Sequence, residues 1–308
     1  MRQLKGLIME YLKGLEHYKD TRRSAVTFGK FDGLHRGHQT LIRKVAQLRQ
    51  TEQVRAAVCA FDMKRTGILM TKEERAAHLE DSMDYLVECP FSEELRKMSG
   101  EEFIKEIICG VFHAKYVVVG TDFHFGYGQG GDADMLKEYA GAYGYEAIVL
   151  EKERYQGRII SSTYIKELMA EGNIQLADKL LGYPYSIKGV VEHGRRLGRT
   201  LGFPTFNVEW PQAKIVPPRG VYFSRTWLDG KCYAGITNVG VKPTVSTEDK
   251  VLAESFLFDY EGSAYGKEVR VELLDFRRPE RKFADIQEMK AAVDRDIESG
   301  REYFRKNA

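Results

Sequence analysis

Between Gly182 and Ser186 the hydrophobic period of the chain changes, and no single layer of structure can span that change. Before it, short apolar runs rich in β-branched residues alternate with stretches at helix spacing. After it, strand-like segments follow one another, and helix spacing returns only near the end. A length of 308 residues accommodates about two domains of ordinary size. The spacing therefore predicts one domain over residues 1–183 and a second over 184–308.

In the first part, "SAVTFG" (24–29), "VRAAVCAFD" (54–62), "KYVVVGTDF" (115–123) and "YEAIVLE" (145–151) read as strands. From Gly37 onward, Leu41, Ile42, Val45 and Leu48 fall on one helical face. Further helices are expected over 99–112, with Ser99 as N-cap, over 132–144, from the serines at 161–162, and over 173–181, ended by Gly182. Strands separated by helices imply an α/β domain with a parallel sheet and crossover connections. In the second part, residues 185–194, 220–240, 253–260 and 267–276 read as consecutive strands, with Asp229-Gly230 as a hairpin turn. Ile286, Met289, Val293 and Ile297 then recur at helical spacing behind Asp285. That pattern implies a small antiparallel β-barrel with a C-terminal helix.

Composition narrows the function classes. Forty-seven basic and 45 acidic residues leave a net charge of +2, which gives no field for nucleic acid. No apolar run approaches the ~18 residues of a membrane span. Cys59, Cys89, Cys109 and Cys232 lie far apart without a CxxC pair, as suits reduced thiols in a cytoplasmic chain. The N-terminus carries Arg2, Lys5, Glu10 and Lys13, so a signal-peptide core is not expected there.

The first candidate site is "GKFDGLHRGH" (29–38), at the joint between a strand and a helix. Ligands of α/β sheets bind outside the carboxyl ends of strands. Gly29, Gly33 and Gly37 remove side chains where backbone can approach a ligand, and the helix start favours a phosphate. His35 and His38, three apart, point the same way and can donate hydrogen bonds to phosphate oxygens. HxxH spacing also allows a zinc site with His124, although no cysteine or acidic cluster accompanies it. "GYGQGG" (126–131) fits GxGxxG formally, but "TDFHF" separates it from the strand, so it reads as a glycine-rich loop and not as a dinucleotide fingerprint.

The second candidate site is "GVVEHGRRLGRTLGFPTFNVEW" (189–210), where four glycines and a Pro-Thr pair interrupt strand pattern. Thr205 and Asn207, two apart in extended chain, present two oxygens on one side. Such hard oxygen ligands suit Mg²⁺ beside ATP phosphates. Arg195, Arg196 and Arg199 add positive potential.

Taken together these segments resemble the bacterial bifunctional riboflavin kinase/FAD synthetase (FMN adenylyltransferase) family. HxGH within "GKFDGLHRGH", "VVVGTDFHFGYGQGGD" (117–132) and "IISSTYIKELMAEGNIQLADKLLGYPY" (159–185) are similar to its adenylyltransferase module. "GRRLGRTLGFPTFN" (194–207), "PPRGVY" (217–222), "NVGVKPT" (238–244) and "DFRRPERKF" (275–283) are similar to its kinase module. The resemblance implies a Rossmann-like nucleotidylyltransferase domain followed by a riboflavin kinase domain. It implies phosphorylation of riboflavin by ATP to FMN, then adenylylation of FMN by a second ATP to FAD, with Mg²⁺ required. It implies nucleotide contacts from Gly29, Phe31, Asp32, Gly37, Asp122, Ser161, Ser162, Thr163 and Lys166 in the first module. In the second it implies nucleotide contacts from Gly198, Arg199, Gly202 and Pro204, metal ligation by Thr205 and Asn207, flavin contacts from Arg278 and Glu280, and Glu254 as the base.

The chain departs from the family pattern mostly in the first module. Its F-E-P-H-P loop is replaced after Phe61 by "DMKRTGI", and Lys166 and His124 stand where arginines are usual. In the second, E-x-H becomes Glu254-Ser255-Phe256 and RPT becomes Lys242-Pro243-Thr244. Two other readings stay open on the sequence: a kinase with a weakened or re-purposed adenylyltransferase site, and a non-catalytic flavin- or nucleotide-binding regulator.

Overall fold

The alternation in the first part folds as a parallel sheet. The computed structural model describes residues 9–62, 66–192, 203–242 and 250–307. Contacts divide the chain into two compact units between Ser162 and Thr163. In the first, β1 (Glu10–Lys13), β2 (Ser24–Gly29), α1 (Arg36–Glu52), β3 (Arg55–Asp62), α2 (Lys72–Leu79), β4 (Tyr85–Pro90), α3 (Glu93–Lys97) and α4 (Gly100–Glu102) follow in order. Then come β5 (Ala114–Gly120), a two-stranded hairpin of β6 (His124–Phe125) and β7 (Gly131–Asp132), α5 (Ala133–Tyr143), β8 (Glu146–Leu150), and a second small hairpin of β9 (Arg154–Tyr155) and β10 (Arg158–Ile159).

The main sheet has the order β1-β4-β3-β2-β5-β8, with every neighbour parallel. The chain runs outward from β2 to β3 and β4, then returns to place β5 on the other side of β2. That reversal between β2 and β5 makes a crevice at their carboxyl ends. On one face Ile42, Val45 and Leu48 of α1 are buried. On the other, Phe28, Cys59, Val87 and Val117 meet Phe103, Ile104, Ile107 and Ile108.

Three differences from expectation have local causes. β4 carries Glu88 inside an apolar run, which hides it as a strand; the carboxylate is buried because the Arg75 guanidinium of α2 meets it at 2.6 Å. β1 is short and flanked by charge, so its alternation is weak. The helix expected over 99–112 begins with a Ser99–Glu102 capping box but widens into a π-helix over Phe103–Val111.

The second unit holds α6 (Ser162–Ala170) from its second residue on, α7 (Ile174–Leu181), β11 (Ser186–Val190), β12 (Phe206–Glu209), β13 (Gly220–Leu228), β14 (Lys231–Lys242), β15 (Lys250–Leu257), β16 (Glu268–Pro279) and α8 (Ile286–Lys306). Its sheet has the order β11-β16-β13-β14-β15-β12, with antiparallel neighbours. A bridge between Glu192 and Asn207 brings the two edges together into a nearly closed barrel. The Asp229-Gly230 turn has φ of 50° and 75°, as a two-residue hairpin requires. Inside, the hydroxyls of Ser224, Thr237 and Ser255 join in two 2.8 Å hydrogen bonds. Outside, α8 packs Val293 and Ile297 against Val221, Phe223, Ile236 and Phe258. Ile286, expected on that apolar stripe, is instead 55% exposed, because Asp285 caps the helix and leaves the first residue in solvent.

Candidate active sites

The turn between β2 and α1 is built under backbone strain. Phe31 and Leu34 hold φ of 47° and 35°, in the left-handed region that side chains disfavour. Phe31 is fully buried, and its ring lies 5.2 Å from that of His38. Gly29 is tight because a Cβ there would meet the Phe31 ring at 3.3 Å. At Gly37 a Cβ would meet the His35 ring at 3.3 Å and the Ile160 carbonyl at 3.5 Å. Both glycines thus serve close packing inside the turn.

His35 is the N-cap of α1, and its Nδ1 accepts from the His38 backbone N–H at 3.4 Å. The accepting nitrogen carries no proton, so the neutral ring presents Nε2–H as a donor. The two imidazoles stack with centroids 3.7 Å apart and planes 21° from parallel. Burial lowers the His35 pKa to about 4, against a partial opposing effect of the Asp32 carboxylate. Burial, then the neighbouring His35, hold His38 well below its ordinary value. The Nδ1 of His38 is shut from solvent and has no hydrogen-bond partner. At neutral pH the pair is uncharged, and it stands at the start of α1, just beyond the carboxyl end of β2.

The other residues expected at this site have different tasks. Asp32 accepts from the Leu69 backbone N–H at 2.7 Å, and its carbonyl accepts from Ser162 Oγ at 2.8 Å. Ser161 stands just before the first turn of α6, Thr163 is exposed on it, and Lys166 lies one turn on. Asp122 follows β5, with its carbonyl accepting from His124 Nδ1 at 2.9 Å and its carboxylate paired with Lys152. His124 is thereby turned to backbone, away from a shared site with the imidazole pair. The loop 126–130 is the tip of the β6–β7 hairpin, with Tyr127 70% exposed.

Sequence reasoning missed two features here. Four strands each carry a phenylalanine at or just past the carboxyl end, and the rings form a row. Phe28 of β2 stacks on Phe61 of β3 at 6.4 Å and on Phe123 after β5 at 6.2 Å. Phe91 after β4 meets Phe61 edge-on at 6.2 Å, and Phe123 stacks on Phe125 at 5.4 Å. The second is Lys152, which nothing in its local sequence marks. Residues 63–65, within the altered loop after Phe61, lie outside the described residues.

In the second unit, strand register assembles the site. Asn207 of β12 stands opposite Glu254 of β15, which stands opposite Asn238 of β14, so the three share one rung and one face. Thr205, two residues before Asn207, donates from Oγ1 to Glu254 Oε1 at 2.6 Å. Glu280 crosses this face near Gly240, where a Cβ would meet Glu280 Oε1 at 2.6 Å and the Asn238 amide at 3.1 Å. Asn238 was no candidate on sequence, because its place depends on pairing. Arg278 lies on the same rung through Val221, but its guanidinium grips Asp296 of α8 at 2.6–3.1 Å. That carboxylate is buried, so Arg278 fastens the helix to the barrel. Pro204 is exposed beside Thr205, while Gly198, Arg199 and Gly202, with Arg195, Arg196, Pro243 and Thr244, lie outside the described residues.

Thr205 Oγ1 and the Asn207 side chain, beside the Glu254 carboxylate, fit a divalent cation of the hard, oxygen-binding kind. The Thr205 hydroxyl spends its proton on Glu254 and keeps lone pairs, and the Asn207 side chain emerges on the same face. Among the described residues no group of three or more His, Cys, Asp or Glu is arranged for a metal.

Comparison with known proteins assigns both halves. The family model for FAD synthetase matches residues 17–164, and that for riboflavin kinase matches residues 181–304. The chain is 33% identical over 300 residues to a bifunctional riboflavin kinase/FMN adenylyltransferase of Bacillus subtilis, covering 93% of this chain and 94% of the relative. It is 31% identical over 304 residues to one of Pseudomonas fluorescens, covering 95% and 97%. A crystal structure from Streptococcus pneumoniae, described as a macrolide-efflux protein, superposes with a TM-score of 0.86 at 28% identity over 96% of this chain and 99% of that one. Among the described residues no helix is long and apolar enough to cross a membrane. With a relative above 30% identity aligned along almost its full length, and a matching model for each half, the chain belongs to the bifunctional riboflavin kinase/FMN adenylyltransferase family.

Proposed function

We propose that the two reactions run at the two sites described, riboflavin phosphorylation on the barrel rung and adenylyl transfer at the imidazole turn. The observation that carries the reading is that Glu254, far along the chain from Thr205 and Asn207, stands opposite Asn207 and accepts from the Thr205 hydroxyl. In the kinase step Glu254 takes the proton of the ribityl hydroxyl as that oxygen attacks the γ-phosphorus of ATP, and ADP leaves. Asn238 and Glu280 line the same face and position the acceptor. Thr205 and Asn207 would hold Mg²⁺, which when bound supplies charge neutralisation beside the phosphates.

In the adenylyl step the FMN phosphate attacks the α-phosphorus of a second ATP, and pyrophosphate leaves. His35 Nε2–H and His38 donate to phosphate oxygens and stabilise charge as it builds there. Ser161, Ser162, Thr163 and Lys166 offer the start of α6 to the phosphates. Phe61 and Phe123, half-buried on either side of the buried Phe28, offer aromatic faces at the strand ends that suit the isoalloxazine ring. We place the functional boundary at 183/184, just after the Gly182 stop of α7, where φ is 85°. The four free cysteines suit a cytoplasmic setting.

The test is to incubate the chain with riboflavin, ATP and Mg²⁺ and resolve the flavins. FAD as end product supports both sites; FMN alone removes the adenylyl site; unchanged riboflavin removes the kinase site, and FMN supplied in its place then tests the other.

A further inference from the structure

The imidazole turn has donors but little positive charge of its own, since both rings are neutral at physiological pH. A nucleoside triphosphate brings several negative charges, and neutral donors alone leave them uncompensated. Nearby cations are mostly committed to structure. Arg36, at the first position of α1, pairs with Glu153. Arg75 is buried against Glu88.

Lys152 differs. It follows β8, whose neighbour β5 leads into Asp122. The segment after β8 is strapped to the imidazole turn by the Arg36–Glu153 ion pair and by the Ile160 N–H, which donates to the Glu153 carbonyl at 3.0 Å. The Ile160 carbonyl in turn lies within packing distance of Gly37. This strap brings the Lys152 charge close enough to bear on both His35 and His38. Its ammonium pairs with the Asp122 carboxylate, whose side chain is 61% exposed. A lysine held against a largely solvated carboxylate gains little from that partner and loses little by leaving it.

We propose that Lys152 is a phosphate-binding residue of the adenylyl-transfer site, exchanging its ion pair with Asp122 for a phosphate oxygen of the nucleotide. This rests on the reading of the imidazole turn as that site. The exchange adds a positive charge to the one that Lys166 offers. It also frees the Asp122 carboxylate to accept from hydroxyl or amino groups of the same nucleotide. Nothing is gained or lost covalently; one ion pair replaces another.

The experiment uses the full chain with supplied FMN, ATP and Mg²⁺, comparing Lys152→Gln and Lys152→Arg. A charge-assisted contact to phosphate predicts that Lys152→Gln lowers kcat/KM for ATP about 10–100-fold. Its ATP dependence also responds less to ionic strength than that of the unsubstituted chain. Lys152→Arg keeps the charge and recovers to within about fivefold. Riboflavin phosphorylation, measured on the same preparations, stays within about twofold and reports that the variants fold. Glutamine retains a hydrogen bond to Asp122, so a lysine that merely anchors that carboxylate predicts ordinary ATP dependence in Lys152→Gln; that result overturns the proposal. A chain that makes no FAD from FMN before any substitution overturns the site reading itself, and the role of Lys152 with it.

Discussion

His35 caps a helix and His38 lies in its first turn, the two rings stacked and uncharged, one buried and the other half-buried, where a parallel sheet reverses its winding. Thr205, Asn207, Asn238 and Glu254 occupy the outer face of an antiparallel barrel, with Glu254 exposed and the others brought alongside by register. Both arrangements face the same triphosphate chemistry, and they distribute the work differently. The helix-start site fixes donor direction through backbone: a capped imidazole, two left-handed residues and close-packed glycines. The rung site fixes acceptors through strand pairing and leaves the neutralising charge to a cation. Preorganised donors stabilise charge that develops on the phosphates, whereas a placed carboxylate removes a proton from the acceptor.

If the division is right, the largest effect comes from Glu254→Gln. It keeps the shape of the rung and removes the base, so riboflavin phosphorylation falls by about 10²–10⁴ in kcat while adenylylation of supplied FMN is unchanged. Steady-state rates with each flavin check this, and loss of both activities in a folded variant would merge the two sites. Next is His38→Gln, expected to lower FAD formation from supplied FMN about 10²–10³-fold, with FMN formation from riboflavin retained.

A smaller effect separates the two units by pH. The His35 pKa is about 4 when folded and near 6.5 as a free group. Between those values the unfolded chain holds a proton that the folded chain does not, so stability rises with pH up to about 6.5 and is level above. Linkage puts the difference between pH 5 and pH 7.5 near 2 kcal/mol for this group. His35→Asn keeps a capping acceptor and should reduce the acid sensitivity seen in urea midpoints. Asp178 behaves oppositely. Burial, helped by the charge of Glu272, raises its carboxyl from 3.8 to about 8. The folded chain then keeps a proton that the unfolded chain has lost, so this contribution falls as pH rises from about 4 to 8. Asp178→Asn still accepts the Tyr185 backbone N–H, which meets the native carboxylate at 2.8 Å. It should raise the melting temperature more at pH 8 than at pH 5. Equal shifts at both pH values would refute the titration of Asp178.

The mildest effect tests the aromatic row. Phe61→Leu keeps apolar volume but removes a stacking face, so the KM for FMN should rise about 3–10-fold with the KM for riboflavin unchanged.

How much of this was legible in the sequence depends on how far apart the cooperating residues lie. The imidazole turn was readable because its strand, glycines and histidines are contiguous, and the Asp229-Gly230 hairpin because its turn chemistry is local. Thr205 and Asn207 were readable as one face of extended chain. Asn238 and Lys152 were not, since their positions come from pairing across β14–β15 and β5–β8. The phenylalanine row was invisible for the same reason, with one ring from each of four strand ends. Arg278, expected at the flavin, shows the converse: its motif position says nothing of Asp296, which approaches from a helix begun after the motif ends. Glu88 concealed β4, because a charge inside a strand is understandable only once Arg75 is beside it.

The most direct measurement is a crystal structure of the full chain with Mg²⁺ and a non-hydrolysable ATP analogue. Two nucleotides per chain are expected, one with its phosphates against the His35 and His38 imidazoles, the other beside Thr205 and Asn207. A single nucleotide shared by both sets of residues, or phosphates that touch neither set, would contradict the account.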